Sequence, residues 1–236
     1  VSAGNYSYTV TDANGCTSVT TGSVQEPTTL QASSSTGSIS CNGGTTTVTV
    51  SATGGTAPYS GTGTFTVSAG NYSYTVTDAN GCTSTTTGTV GEPTTLQASS
   101  SAGSISCNGG TTTVTVSATG GTAPYSGTGT FTVSAGNYSY TVTDANGCTS
   151  TTTGTVGEPT TLTASSSAGS ISCNGGTTTV TVSATGGTAP YSGTGTFTVS
   201  AGNYSYTVTD ANGCTSTTTG QVSEPTTLQA SSSSGS

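Results

Sequence analysis

The chain repeats itself almost letter for letter every 66 residues. The phrase Val-Ser-Ala-Gly-Asn-Tyr-Ser-Tyr-Thr-Val-Thr-Asp-Ala-Asn-Gly-Cys begins at Val1, Val67, Val133 and Val199. No other feature constrains the fold as much, because a fixed period requires each repeat to be one supersecondary unit set beside copies of itself. The period also bears on function. An enzyme needs one differentiated site, whereas interchangeable modules supply length, spacing or a repeated surface.

One full period, Pro27 to Glu92, reads as a string of short strands separated by turn residues. Leu30 and Ala32 alternate within Thr28 to Ser33, a first strand. Asn42-Gly43-Gly44 is a turn. In Thr45 to Thr53, Val48 and Val50 point one way while Thr47, Thr49 and Ser51 point the other. Ala57-Pro58-Tyr59 opens a short third strand with Tyr59 inward. Phe65 and Val67 share a face, and Tyr72, Tyr74 and Val76 alternate with Ser73, Thr75 and Thr77. Asp78-Ala79-Asn80-Gly81 is a hairpin turn, since Asn-Gly tolerates positive φ. Thr83 to Val90 is the last strand, and no window supports a helix.

Six or seven short strands in such a unit predict a small antiparallel sandwich. The expected fold is therefore all-β: tandem small Ig-like β-sandwich domains, one disulfide per domain. Residues 1–26 are expected to be the C-terminal strands of a cut repeat. Residues 27–92, 93–158 and 159–225 are three complete repeats, and 226–236 the first strand of a following one. The ends respect no unit boundary, which fits a window on a longer tandem chain. The rival arrangement is separate subunits that complete each other head to tail by strand addition.

The core is thin. Leu30, Ile39, Val48, Val50, Tyr59, Phe65, Val67, Tyr72, Tyr74, Val76 and Val90 nearly exhaust its large apolar residues. A unit this small needs a covalent staple. The cysteines, at 16, 41, 82, 107, 148, 173 and 214, supply two per repeat. Pairing within a repeat gives Cys41–Cys82, Cys107–Cys148 and Cys173–Cys214, with the partner of Cys16 outside the chain. Pairing across the joint gives Cys16–Cys41 and its equivalents, with Cys214 left over. The first is expected here, because four strand passes between Cys41 and Cys82 return the chain to the end of the sandwich where it began. Stable disulfides place a protein outside the cytosol.

Charge excludes several roles. The chain has no Lys, Arg or His and a net charge of −8. It cannot neutralise phosphates, which argues against nucleic-acid binding. It lacks a basic patch for anionic lipid, and no apolar stretch is long enough to span a membrane. Without His or Lys, most acid–base and nucleophilic schemes lose their base. Asp78 and Glu92 are a conceivable carboxylate pair, but they recur in every repeat. Asp78 with Asn80 offers too few oxygens for a Ca²⁺ loop, and the cysteines lack zinc-site spacing. No catalytic, metal or cofactor site is expected.

Four phrases recur in order: Ser40-Cys41-Asn42-Gly43-Gly44, Gly54-Gly55-Thr56-Ala57-Pro58-Tyr59, Ala69-Gly70-Asn71-Tyr72 and Thr77-Asp78-Ala79-Asn80-Gly81-Cys82. Together they resemble the SprB-type repeat of Bacteroidetes surface adhesins, over nearly the whole chain. The resemblance implies a secreted, cell-surface, Ig-like module arrayed in very long proteins, some linked to gliding and adhesion. Where that family usually places a Trp after Pro-Tyr, this chain runs Ser60-Gly61-Thr62-Gly63-Thr64 straight to Phe65, so the middle of the unit looks shortened.

The expected role is structural, in an extracellular bacterial fibre or stalk whose partner is itself. The alternative is the spacer of an adhesin. Dense hydroxyls on solvent faces make Thr45, Thr47, Thr85, Thr87, Thr111, Thr113, Thr151 and Thr153 candidates for O-linked glycans. Asn5, Asn71, Asn137 and Asn203 begin N-x-S sequons. The same Thr ladders raise an ice-binding surface as a rival from another class, although a small sandwich twists.

Overall fold

A computed structural model describes residues 1–233. Every regular element in it is a β-strand. The first is β1 (Gly4–Thr11), which forms an antiparallel hairpin with β2 (Thr17–Val24). The first complete repeat follows. Its strands are β3 (Gln31–Thr36), β4 (Thr45–Thr53), β5 (Gly63–Ser68), β6 (Gly70–Thr77) and β7 (Thr83–Val90). β4 is the centre of a three-stranded antiparallel sheet flanked by β3 and β5, while β6 and β7 form a separate ribbon.

Alternation explains this division. In β4 the residues Thr45, Thr47, Thr49, Ser51 and Thr53 are exposed while Val48 and Val50 are buried. In β6 and β7 the buried positions are Val76 and Val90. The apolar faces of sheet and ribbon meet with Ile39 in one core, edged by Tyr59, Phe65, Val67, Tyr72 and Tyr74. Phe65 of the sheet stacks on Tyr74 of the ribbon with centroids 4.4 Å apart. Where the apolar supply ends, hydroxyls continue the contact: Ser34 Oγ lies 2.8 Å from Thr86 Oγ1 and 3.0 Å from the Tyr72 hydroxyl.

Two of the expected strands differ. The first begins three residues late, at Gln31. Ala57-Pro58-Tyr59 forms no strand; after a cis Ala57–Pro58 bond only Ser60 bridges, to Thr77. Tyr59 still packs on the core, because its hydroxyl donates to the Gly54 carbonyl at 2.7 Å and folds the loop inward. Proline removes a ladder donor, which explains why pairing resumes only after it.

The chain divides into two units. One holds Val1–Leu96 with Gly120–Pro124 and Asp144–Cys148, so a loop and a turn from the second repeat group with the first. The other holds Gln97–Thr119, Tyr125–Thr143 and the described residues from Thr149 onward. In this second unit, β8 (Gln97–Ala102), β9 (Thr111–Thr119) and β10 (Gly129–Ser134) form a three-stranded sheet, and β11 (Gly136–Thr143) and β12 (Thr149–Val156) a ribbon. β13 (Thr163–Ala168), β14 (Thr177–Thr185) and β15 (Gly195–Ser200), then β16 (Gly202–Thr209) and β17 (Thr215–Val222), repeat the pattern. Their cores repeat the residue types of the first.

The two ends are less built. The β1–β2 hairpin leaves Tyr8 and Val10 more than half exposed, at positions whose later equivalents, Tyr74 and Val76, face a sheet. Residues 226–233, expected as a strand, are not one. The equivalent strand β3 is held in its sheet by β4, and residues 226–233 pair with no strand. The remainder of that expected strand, 234–236, lies outside the described residues.

Candidate functional site at the disulfide-linked joint

Strand counting fixes where the cysteines go. Between Cys41 and Cys82 the chain makes three passes, β4, β5 and β6, because the expected fourth strand at Ala57–Tyr59 is absent. β5 runs back to the start of β4, with Ser68 opposite Thr45. β6 then runs outward again to the Thr77–Thr83 end of its ribbon. An odd number of passes leaves Cys41 and Cys82 at opposite ends of the repeat, about 25–30 Å apart for a nine-residue strand. A disulfide needs Cα atoms within about 7 Å, so the expected Cys41–Cys82 pair cannot form.

The structure pairs Cys41 with Cys148 and Cys107 with Cys214, each with Cα atoms 5.7 Å apart. The first cysteine of one repeat thus bonds the second cysteine of the next. This corrects the expected Cys41–Cys82, Cys107–Cys148 and Cys173–Cys214 pairs, and the cross-joint alternative as well. Cys16, Cys82 and Cys173 are free and exposed. The signal was present in the sequence as the proline in the supposed third strand, which made the pass count odd.

Each cysteine is presented by a turn that the local sequence dictates. In Asp144–Cys148, the Asp144 carboxylate accepts the N–H groups of Asn146 and Cys148 on Oδ1, both at 2.9 Å. Its Oδ2 accepts the Thr122 N–H at 2.9 Å. Gly147 supplies the positive φ, 84°, that closes the turn. Asp78 and Asp210 repeat these bonds with Thr56 and Thr188. All three carboxylates are buried. At Asp78 the Thr56 N–H is the largest influence and, with the other turn donors, holds the carboxyl below its usual range. At Asp144 and Asp210 burial pulls upward, and the several backbone donors together outweigh it. The Asp78 oxygens are thus taken up by backbone donors, and among the described residues no three metal-ligating side chains converge. Glu92 lies at the opposite end of the β6–β7 ribbon from Asp78, so the two do not form a carboxylate pair.

The other half of the joint is the Ser40–Gly44 loop. Asn42 is bracketed by the linker that leads to the next repeat: its Nδ2 donates to the Pro93 carbonyl at 3.1 Å, and Thr95 Oγ1 donates to its Oδ1 at 2.8 Å. Gly43 N donates to the Glu92 carboxylate at 2.6 Å. Asn108 and Asn174 hold the linkers at Pro159 and Pro225 in the same way. Cross-repeat contact is completed by Asn146 Nδ2, which donates to the Ser40 carbonyl at 3.0 Å, and by Asn212, which does the same to Ser106. No local sequence pattern marks the linker contacts, because their partners lie 49 to 53 residues apart.

The expected glycan acceptors are all on solvent faces. Thr45, Thr47, Thr111 and Thr113 lie on the outer faces of three-stranded sheets, and Thr85, Thr87, Thr151 and Thr153 on ribbons. Asn5, Asn71, Asn137 and Asn203 are exposed near the starts of β1, β6, β11 and β16. Neighbouring hydroxyls on these faces bond one another, as in Thr75 with Thr85 at 3.0 Å, or bond the sequon amide, as Thr89 does to Asn71 at 2.7 Å.

No protein-family model matches this chain, and no curated protein is similar to it. What remains is the chemistry of the joint. It has no nucleophile–base pair and no converging ligands among the described residues. It has a covalent bond, a clamped linker and a satisfied carboxylate. Disulfides of this kind persist in oxidising, non-cytoplasmic surroundings.

Proposed function

We propose that the chain is a structural segment of an extracellular bacterial fibre or stalk, without enzymatic activity. Its modules are Ig-like β-sandwich repeats at 27–92, 93–158 and 159–225, and its principal partner is more of itself. One observation carries this reading: among the described residues both disulfides, Cys41–Cys148 and Cys107–Cys214, hold one repeat to the next. A bond between members resists their separation, whereas a bond around one core constrains that core alone. Exposed hydroxyl ladders in every repeat support a glycan coat, which would keep a nearly uncharged fibre in solution. Electron micrographs of the native material test the proposal; filaments with a periodic axial repeat are expected, and isolated globular particles would remove it. Intact mass tests the coat, since an unmodified 22.4 kDa segment mass would exclude it.

The spacer of a surface adhesin is the second reading. The resemblance of the four ordered phrases to SprB-type repeats favours it. In that case immunogold labelling should place the segment between the cell envelope and a divergent tip.

A further inference from the structure

We infer that the interlocked disulfides form a second covalent path that bypasses every inter-repeat linker between Cys41 and Cys214. The inference deepens the fibre reading by naming what the joint does under load and under attack.

The two disulfide loops, 41–148 and 107–214, overlap over residues 107–148. A break in the backbone between residues 41 and 148 is spanned by the first bond, and one between 107 and 214 by the second. One cut in each linker leaves three pieces still joined, because the middle piece carries both Cys107 and Cys148. Linkers and loop tips are where chains are preferentially nicked. Here Thr94, in the linker, and Thr62, in the β4–β5 loop, are both exposed. Pairing within repeats would protect the second and not the first; pairing across the joint would do the reverse. Only the observed pairing covers both.

Tension follows the same route. From Cys41 the shortest covalent path crosses to Cys148, runs backward along 107–148, and crosses from Cys107 to Cys214. It contains one stretch of 41 residues, where the backbone route from 41 to 214 contains 173. At about 3.6 Å per extended residue the taut span is about 150 Å instead of about 600 Å. The linkers Glu92–Thr95 and Glu158–Thr161 lie in the slack portions, so they position repeats without bearing the final load. The load-bearing stretch holds β9, β10 and β11.

The chain lacks Lys and Arg, so one introduced Arg creates a unique tryptic site. Oxidised Thr94→Arg and Thr62→Arg chains, thiols capped and digested in urea without reductant, should each gain the mass of one water and stay in one piece. Reductant should then release two fragments. Thr28→Arg lies outside the bypass in the same Glu-Pro-Thr-Thr context and should release residues 1–28 with or without reductant. Separation of cut Thr94→Arg or Thr62→Arg without reductant overturns the inference. Pulling single molecules should show about 450 Å of extra contour length when reductant is added; no change overturns it equally. None of these readouts depends on filaments being found, so failure of the fibre reading and failure of the bypass are separable.

Discussion

Asn146 donates its side-chain amide to the carbonyl of Ser40, 3.0 Å away and 106 residues earlier in the chain. Its counterpart one repeat back, Asn80, makes the same local bond to a threonine, Thr56 Oγ1 at 2.9 Å, as Asn146 makes to Thr122. The two asparagines therefore differ only by the cross-repeat bond. Asn146→Ala should lower stability more than Asn80→Ala, by about 1 kcal/mol, the net worth of one hydrogen bond. Urea unfolding of the two variants at neutral pH measures the difference. Equal losses would show that the Ser40 contact contributes nothing.

The thiol inventory is a direct check on the joint. Without reductant, an alkylating reagent should modify Cys16, Cys82 and Cys173 and leave the other four untouched. Cys41→Ser should then expose Cys148 as a fourth reactive thiol, identified by peptide mapping. Loss of this staple should cost about 4–5 kcal/mol, the loop-entropy value for a closed loop of roughly a hundred residues. If Cys41→Ser leaves Cys148 unreactive, the pairing is different from that described.

Strand content and facing were legible in the sequence because period-two alternation in Thr45–Thr53 and Tyr72–Val76 is a local signal. The buried set follows it closely: Val48, Val50, Val76 and Val90 are each at most 4% exposed. What could not be read locally was the direction of each pass. Ala57-Pro58-Tyr59 has the composition of a strand start, yet proline denies the ladder a donor, and the loss of one strand moves Cys82 to the far end of the repeat. The disulfide partner then changes from Cys82, in the same repeat, to a cysteine 107 residues away. The Asn42–Pro93–Thr95 clamp was illegible for a related reason, since its members are 51 and 53 residues apart and share no pattern.

Gly88 exists to admit an aromatic ring. It stands opposite Tyr72 in the ribbon, and a Cβ there would run into the Tyr72 hydroxyl and ring. Gly88→Ala should push the ring off the ribbon, break its 3.0 Å contact with Ser34, and cost about 1–3 kcal/mol as an overpacking change. Gly91, where an added Cβ meets nothing, is the control, and Gly91→Ala should be nearly neutral. Thermal unfolding of both variants tests the pair. A neutral Gly88→Ala would mean that the Tyr72 ring has another place to lie.

Acid should loosen the joints before it unfolds the sheets. Asp78, Asp144 and Asp210 have carboxyl pKa values below the usual range because backbone N–H groups bond the charged form. A group whose folded pKa is depressed stabilises the fold above its unfolded value and loses that contribution as pH falls through the folded one. With no histidine or lysine in the chain, little else titrates between about pH 5 and 8. The melting temperature should therefore be flat from pH 8 to about pH 5 and fall below about pH 4. Asp144→Asn removes one of the three charges and should lower the neutral-pH plateau while making the acid slope shallower. Melting curves across pH 2–8 for both proteins read this out, and an unchanged acid slope in Asp144→Asn would show that the turn carboxylates do not govern it.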